Sequence, residues 1–169
     1  MSPEDLIQSV LEDERKRELL ARAMQEAVRA LDEQQVVGLA RAFATGAIAE
    51  DPAAVDEAMI ALEAIGQLGA PHWRLITVLL GSSRMTGLNR SIEEIASRFE
   101  KSWLREEIVQ TDPGLLPAID ALIGRLAGLG LIVDTAIGTV DYRARWELTE
   151  FGKTCAAYMR LLGRNQAAT

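Results

Sequence analysis

The sequence holds one cysteine, one histidine and eight aromatic residues among 169, and each scarcity excludes something. The single thiol, Cys155, permits no disulfide within the chain and fits a reducing compartment, so a cytoplasmic protein is expected. The single histidine, His72, has no second histidine and no cysteine partner for a metal, so no metal and no other cofactor is expected. No apolar run approaches the roughly 20 residues needed to cross a bilayer, and no membrane partner is expected. The opening stretch "MSPEDLIQSVLEDERKR" is acidic where a signal peptide is basic, so no export signal is read from it.

Cations are scarce too, with 18 lysines and arginines against 25 acids and a net charge of −7. The deficit is uneven. Residues 1–70 carry 14 acidic and 6 basic side chains, a balance of −8, whereas residues 71–169 carry 11 and 12, a balance of +1. An anionic partner would meet the second part of the chain, and even there it finds no basic excess of the kind that gives nucleic-acid binding its affinity.

What is present is helical patterning. Ser2-Pro3-Glu4-Asp5 reads as a helix start, with a serine cap, proline in the first turn and acids at the positive end. One long helix is expected to follow, its apolar stripe of Leu6, Ile7, Val10 and Leu11 resuming after "EDERKRE" at Leu20, Met24, Ala27, Val28 and Leu31. A second helix carries Val36, Val37, Leu39, Ala40 and Phe43. A third is capped by Asp51-Pro52 and runs through Val55, Ala58, Met59, Leu62, Ile65 and Leu68. From Pro71, "PHWRLITVLL" is apolar on most sides and is expected to be buried; "GSSRMTGLNR" reads as loop, and Ser91 with Glu94 restarts a helix through a capping-box pattern. "KSWLREEIVQT" fits helix or loop. A further helix starts at Asp112-Pro113 and repeats Leu115, Leu116, Ile119, Leu122, Ile123, Leu126 and Leu129 until Gly128 and Gly130 bracket its end. The period then shortens: "LIVDTAI" and "VDYRARWEL", separated by Gly138-Thr139, read as a two-stranded hairpin, and Thr149 caps a last helix.

Motifs for catalysis are missing. Five residues separate Gly81 from Gly87 and Leu88-Asn89 follows, so the phosphate-loop pattern fails. Adjacent acids such as Glu93-Glu94 and Glu106-Glu107 diverge by about 100 degrees on a helix and make no catalytic pair. Ser82 and Ser83 have no base nearby in sequence. No enzyme is expected. The tryptophans Trp73, Trp103 and Trp146 each sit in an apolar context and read as core anchors rather than base-stacking platforms.

The fold expected is mainly α, with an acidic helical region over residues 1–69 followed over 70–169 by helices and the hairpin. Across residues 71–163, "SIEEIASRF", "AIDALIGRLAGLGLIVD" and "WELTEFGK" resemble the winged helix-turn-helix of MarR-like and PadR-like bacterial transcriptional regulators. In that resemblance the first stretch is the leading helix of the turn unit, the second runs into the wing, and the third is the strand-to-helix exit. Leu148 would face the core, Thr149 would cap the following helix, and Gly152 would allow close approach of helix and sheet. The resemblance implies double-stranded DNA as partner, transcription regulation, and a homodimer through the remaining helical segments.

The candidate DNA contacts are Arg143 and Arg145 on the wing strand, Arg84 and Arg90 in the loop, Lys101 and Arg105, and Arg125. The reading helix of such domains meets base edges with its first residues. Here those residues are "DPGLLPA", which contain none of the arginine, lysine, asparagine or glutamine donors that read bases. A second function therefore stands beside the first: a protein–protein interaction module that keeps the winged fold without binding DNA, meeting its partner through residues 112–121 or the amino-terminal helices.

Overall fold

A computed structural model describes residues 3–81, 102–136 and 143–160. The protein is mainly α-helical, with a helical bundle in its amino-terminal part and helices around a small antiparallel sheet in its carboxy-terminal part. The chain divides into two compact units: residues 1–68 with 155–161, and residues 69–154 with 162–169.

The first unit contains α1 (Pro3–Glu12), α2 (Glu14–Arg29), α3 (Glu33–Ile48) and α4 (Pro52–Gly66). The single long helix expected at the start is two helices. Asp13 breaks it, because its carboxylate accepts from the backbone N–H groups of Arg15 and Lys16 and so caps a new helix. Asp32 and Asp51 cap α3 and α4 in the same way, the latter with Pro52 in the first turn as expected.

Helices α2, α3 and α4 pack on one another, and the face each buries is set by small residues. Helix α2 buries Leu19, Ala23 and Glu26, not the expected Met24 and Val28, which are exposed, as is Leu31 just past its end. Helix α3 buries Gln35, Gly38, Leu39, Ala42, Gly46 and Ala47, leaving Val36 and Val37 exposed. The reason is steric. A Cβ on Gly46 would stand 2.6 Å from the Ala58 Cβ and 2.7 Å from a Leu19 methyl, so the backbones approach too closely for larger residues. Only α4 follows its expected stripe closely, with Val55, Ala58, Leu62 and Ile65 inside and Leu68 buried just beyond it.

Gln35 closes this bundle. Its Nε2 donates to the carbonyls of Ile65 (3.0 Å), in the last turn of α4, and Leu68 (3.2 Å), just past it, and its Oε1 accepts from Leu31 N–H at 3.0 Å. One buried amide thus satisfies backbone groups that helix ends leave without partners. The unit is completed by residues 155–161, where Gln34 donates to the Met159 carbonyl and Arg41 to that of Tyr158, and the Met159 sulfur occupies the space a side chain on Gly38 would need.

The second unit opens with α5 (Ala70–Leu80), which buries Trp73, Leu75, Ile76 and Leu79. After the segment outside the described residues come β1 (Trp103–Leu104) and α6 (Arg105–Thr111), which resolve the ambiguous "KSWLREEIVQT". The helix expected from Asp112 begins instead as a 3-10 turn, η1 (Pro113–Ala118), and only then becomes α7 (Ile119–Gly128). Two prolines explain this. Pro117 has no N–H to bond one turn back, and Pro113 and Pro117 both disfavour helical backbone in the residue before them.

The hairpin strands are β2 (Ile132–Asp134) and β3 (Arg145–Leu148), and β1 adds a third strand, in the order β1-β3-β2 and antiparallel throughout. Ile132 stands opposite Leu148 and Trp103 opposite Trp146. The expected serine cap at Ser2, the helix from Ser91 and the Gly138-Thr139 turn lie outside the described residues.

The last helix, α8 (Glu150–Tyr158), leaves the sheet as expected. Thr149 Oγ1 accepts from Gly152 N–H at 2.9 Å and donates to the Gly130 carbonyl at 2.7 Å. A Cβ on Gly152 would lie 2.1 Å from the Leu131 carbonyl oxygen, so only glycine fits against that backbone. Gly130, at φ +71°, ends α7 with the paired bonds Leu131 N–H to Leu126 and Gly130 N–H to Ala127.

Candidate interaction surface

Helix α7 and the turn before it carry residues 112–121, one of the two surfaces the sequence offers for a partner. The turn is fixed from within. Asp112 Oδ1 accepts from Gly114 N–H at 3.1 Å, capping η1, and the same carboxylate receives Arg74 of α5 through two bonds of 3.0 and 2.5 Å. One helical turn further on, Asp120 is held by Arg105, with Nε to Oδ1 at 2.8 Å and Nη2 to Oδ2 at 3.3 Å. That mutual hydrogen bonding lowers the Asp120 pKa and raises that of Arg105. Both carboxylates on this surface are therefore answered by arginines of the same unit.

Phasing by the 3-10 turn determines what remains outside. Leu115 is buried, but Leu116, expected in the core, is 51% exposed, with Pro117 beside it. The outer face of α7 offers Ala121, Gly124 and Gly128, and a Cβ at either glycine would meet nothing within 4 Å. Small residues alternate on this face with the charged Asp120 and Arg125.

The predicted DNA contacts are dispersed. Arg84, Arg90 and Lys101 lie outside the described residues. Arg105 is engaged by Asp120. Arg125 is exposed on α7, and Arg143 is exposed just before β3. Arg145 is half-buried and belongs to the sheet: its guanidinium donates to the Ser102 carbonyl at 3.4 Å, and its N–H to Asp134 Oδ1 at 3.0 Å. The same Asp134 oxygen accepts from Ala136 N–H at 2.9 Å, so one aspartate ties the two strands where the hairpin begins.

Sequence reasoning passed over Arg74, Gln35 and Asp134. A signal existed only for Asp112, whose position before Pro113-Gly114 marks a capped turn; nothing local points from it to Arg74, 38 residues away.

Other reactive groups are quiet. His72 is half-buried, and its Nδ1 accepts from Gly69 N–H at 3.2 Å, reaching back to cap its own helix. Burial first, and the nearby Arg125 charge, lower its pKa. The Cys155 thiol is pushed up to about 12, by burial first and the charge of Glu57 second, which leaves it without nucleophilic character. The buried indole N–H groups of Trp73 and Trp103 have no hydrogen-bond partner among the described residues. Among the described residues no group of three histidine, cysteine or acidic side chains is placed to hold a metal, and no helix is long and apolar enough to cross a membrane. No family model, curated protein or solved structure matches this chain.

Proposed function

We propose that this chain is a winged-helix protein of the interaction type, whose surface from Asp112 to Gly128 docks a partner protein and does not read DNA. The winged reading is supported by the element order of the second unit: α5, β1, α6, the η1–α7 pair, then β2 and β3, with the strands ordered β1-β3-β2. In this reading α6 and η1–α7 make the turn unit, one helix later than "SIEEIASRF" suggests.

The observation that carries the functional reading is the internal pairing of Arg74 with Asp112 and Arg105 with Asp120 around an exposed Leu116. A surface that meets phosphates turns its cations outward and its carboxylates away. This one places carboxylates at the leading end of α7 and uses two arginines to neutralise them. Leu116 and Pro117 then offer an apolar anchor point of the sort that a protein partner fills.

DNA binding is the second reading, with Arg143 as its exposed wing cation. An electrophoretic shift on random duplex DNA across a salt series separates the two. The expected result is no retardation at about 50 mM salt. Retardation that falls steeply with salt and is abolished by Arg143→Ala would replace the interaction reading with the regulator reading.

A further inference from the structure

The chain leaves the first unit and enters the second between Leu68 and Gly69, and that peptide group is held from both sides. Its carbonyl, on Leu68, accepts from Gln35 Nε2 at 3.2 Å. Its N–H, on Gly69, donates to His72 Nδ1 at 3.2 Å. The Gly69 carbonyl is engaged as well, by the N–H groups of His72 (3.0 Å) and Trp73 (3.3 Å) in the first turn of α5. Among the described residues the chain crosses between the units once more, at 154–155, inside α8. A peptide within a helix is fixed by the helix's own ladder. The 68–69 peptide instead owes both of its bonds to side chains, and one of these titrates.

His72 is the chain's one histidine, and its bond to Gly69 requires an Nδ1 without a proton. Protonation sets a second donor against the Gly69 N–H, and the bond is lost. The cation has little to offset that loss. The ring lies in the first turn of α5, at the positive end of the helix dipole. Helices α6 and α7 and strand β3 pack on α5, and from these Arg125 of α7 sets its positive charge near the ring. Arg105 of α6 is bound to Asp120, Arg74 of α5 to Asp112, and Arg145 of β3 to the Ser102 carbonyl. Glu107 of α6 accepts from Leu104 N–H, while Glu106 of α6 and Glu147 of β3 form no ion pair with the ring among the described residues. The Gln35 amide does not titrate, so acid removes one of the two holds and leaves the other.

We propose that His72 is a pH-sensitive latch on the joint between the two units: neutral, it pins the 68–69 peptide; protonated, it releases the Gly69 N–H and loosens the first turn of α5. The test is nuclear magnetic resonance on the full chain between about pH 8 and pH 5, where this ring is the one imidazole to observe. At about pH 8 the ring carries its proton on Nε2, and the Gly69 amide is protected against exchange with solvent. That protection, corrected for the intrinsic pH dependence of exchange, falls about tenfold in acid with the midpoint of the ring itself. His72→Asn, which does not titrate, shows no change in protection over the same range, and His72→Ala lacks the protection already at about pH 8. A neutral ring with its proton on Nδ1, a Gly69 amide that ignores the titration of the ring, or His72→Ala with wild-type protection would each overturn the proposal. So would a His72→Asn chain that loses protection in acid as the wild type does.

Discussion

Nine of the eleven large apolar side chains exposed among the described residues belong to the first unit, and only Leu116 and Val133 to the second. The difference follows from how each unit is closed. In the first, helices meet through alanine and glycine, at contacts such as Gly46 on Ala58, and the larger apolar residues of α2 and α3 are displaced outward. In the second, a three-stranded sheet and short helices are tied by polar side chains to backbone: Thr149 to Gly130 and Gly152, Asp134 to Ala136 and Arg145, Asp112 to Gly114. Close backbone contact leaves hydrophobic surface over; polar ties consume charge. The first unit thus leaves large apolar residues exposed, whereas two arginines of the second are already engaged.

The two units can be followed by different signals, because Trp73, Trp103 and Trp146 all lie in the second while the three longest helices among the described residues, α2, α3 and α4, lie in the first. The largest effect is expected at Gly152. Its replacement by alanine forces a methyl against the Leu131 carbonyl, which is backbone and cannot swing aside, and should cost about 3 kcal/mol. Urea unfolding followed by tryptophan fluorescence reads this directly; an unshifted midpoint would mean that the sheet and α8 have room to separate. Next comes Gln35→Ala in the first unit. It leaves Leu31 N–H and the Leu68 carbonyl without the Gln35 amide and removes a second bond to the Ile65 carbonyl, at a cost of about 2 kcal/mol, seen in the helical signal at 222 nm. A loss far below that would show water reaching those groups, and a looser bundle than its glycine contacts indicate.

The smallest effect is on pH dependence. The pKa of His72 is lowered on folding, so the unfolded chain binds more protons than the folded one and acid favours unfolding. Its contribution is intact above the usual imidazole value of about 6.5 and is lost as pH falls below it. The melting temperature of the wild type should therefore drop more between about pH 7.5 and 5 than that of His72→Asn. Asp120 is also shifted down, but its contribution survives until pH falls below the ordinary carboxylate range.

Features encoded by neighbouring residues were legible in the sequence. Asp51-Pro52 starts α4, Gly130 ends α7, and Thr149 with Gly152 joins strand to helix, because a cap, a left-handed residue or a close approach needs a particular side chain at a particular place. Features decided by distant partners were not. Apolar spacing selected Leu20, Met24, Ala27, Val28 and Leu31, while the packing selected Ala23 for being small and Glu26 for reaching over Gly66. Strand β1 has two residues and is defined by its pairing to β3, more than 40 positions away. The candidate surface was half visible: the absence of base-reading donors in "DPGLLPA" is a local fact, but the capture of Asp112 by Arg74 is not.

Residues 155–161 belong to the first unit although the whole of residues 69–154 intervenes. During synthesis this inverts the usual order, in which the segment made first folds first. Helices α1 to α4 leave the ribosome early, yet Gly38 has no Met159 over it, and Arg41 and Gln34 have no carbonyls to bind, until residues 69–154 have been made. A translational pause before residue 155 would leave the earliest helices without the segment that closes them.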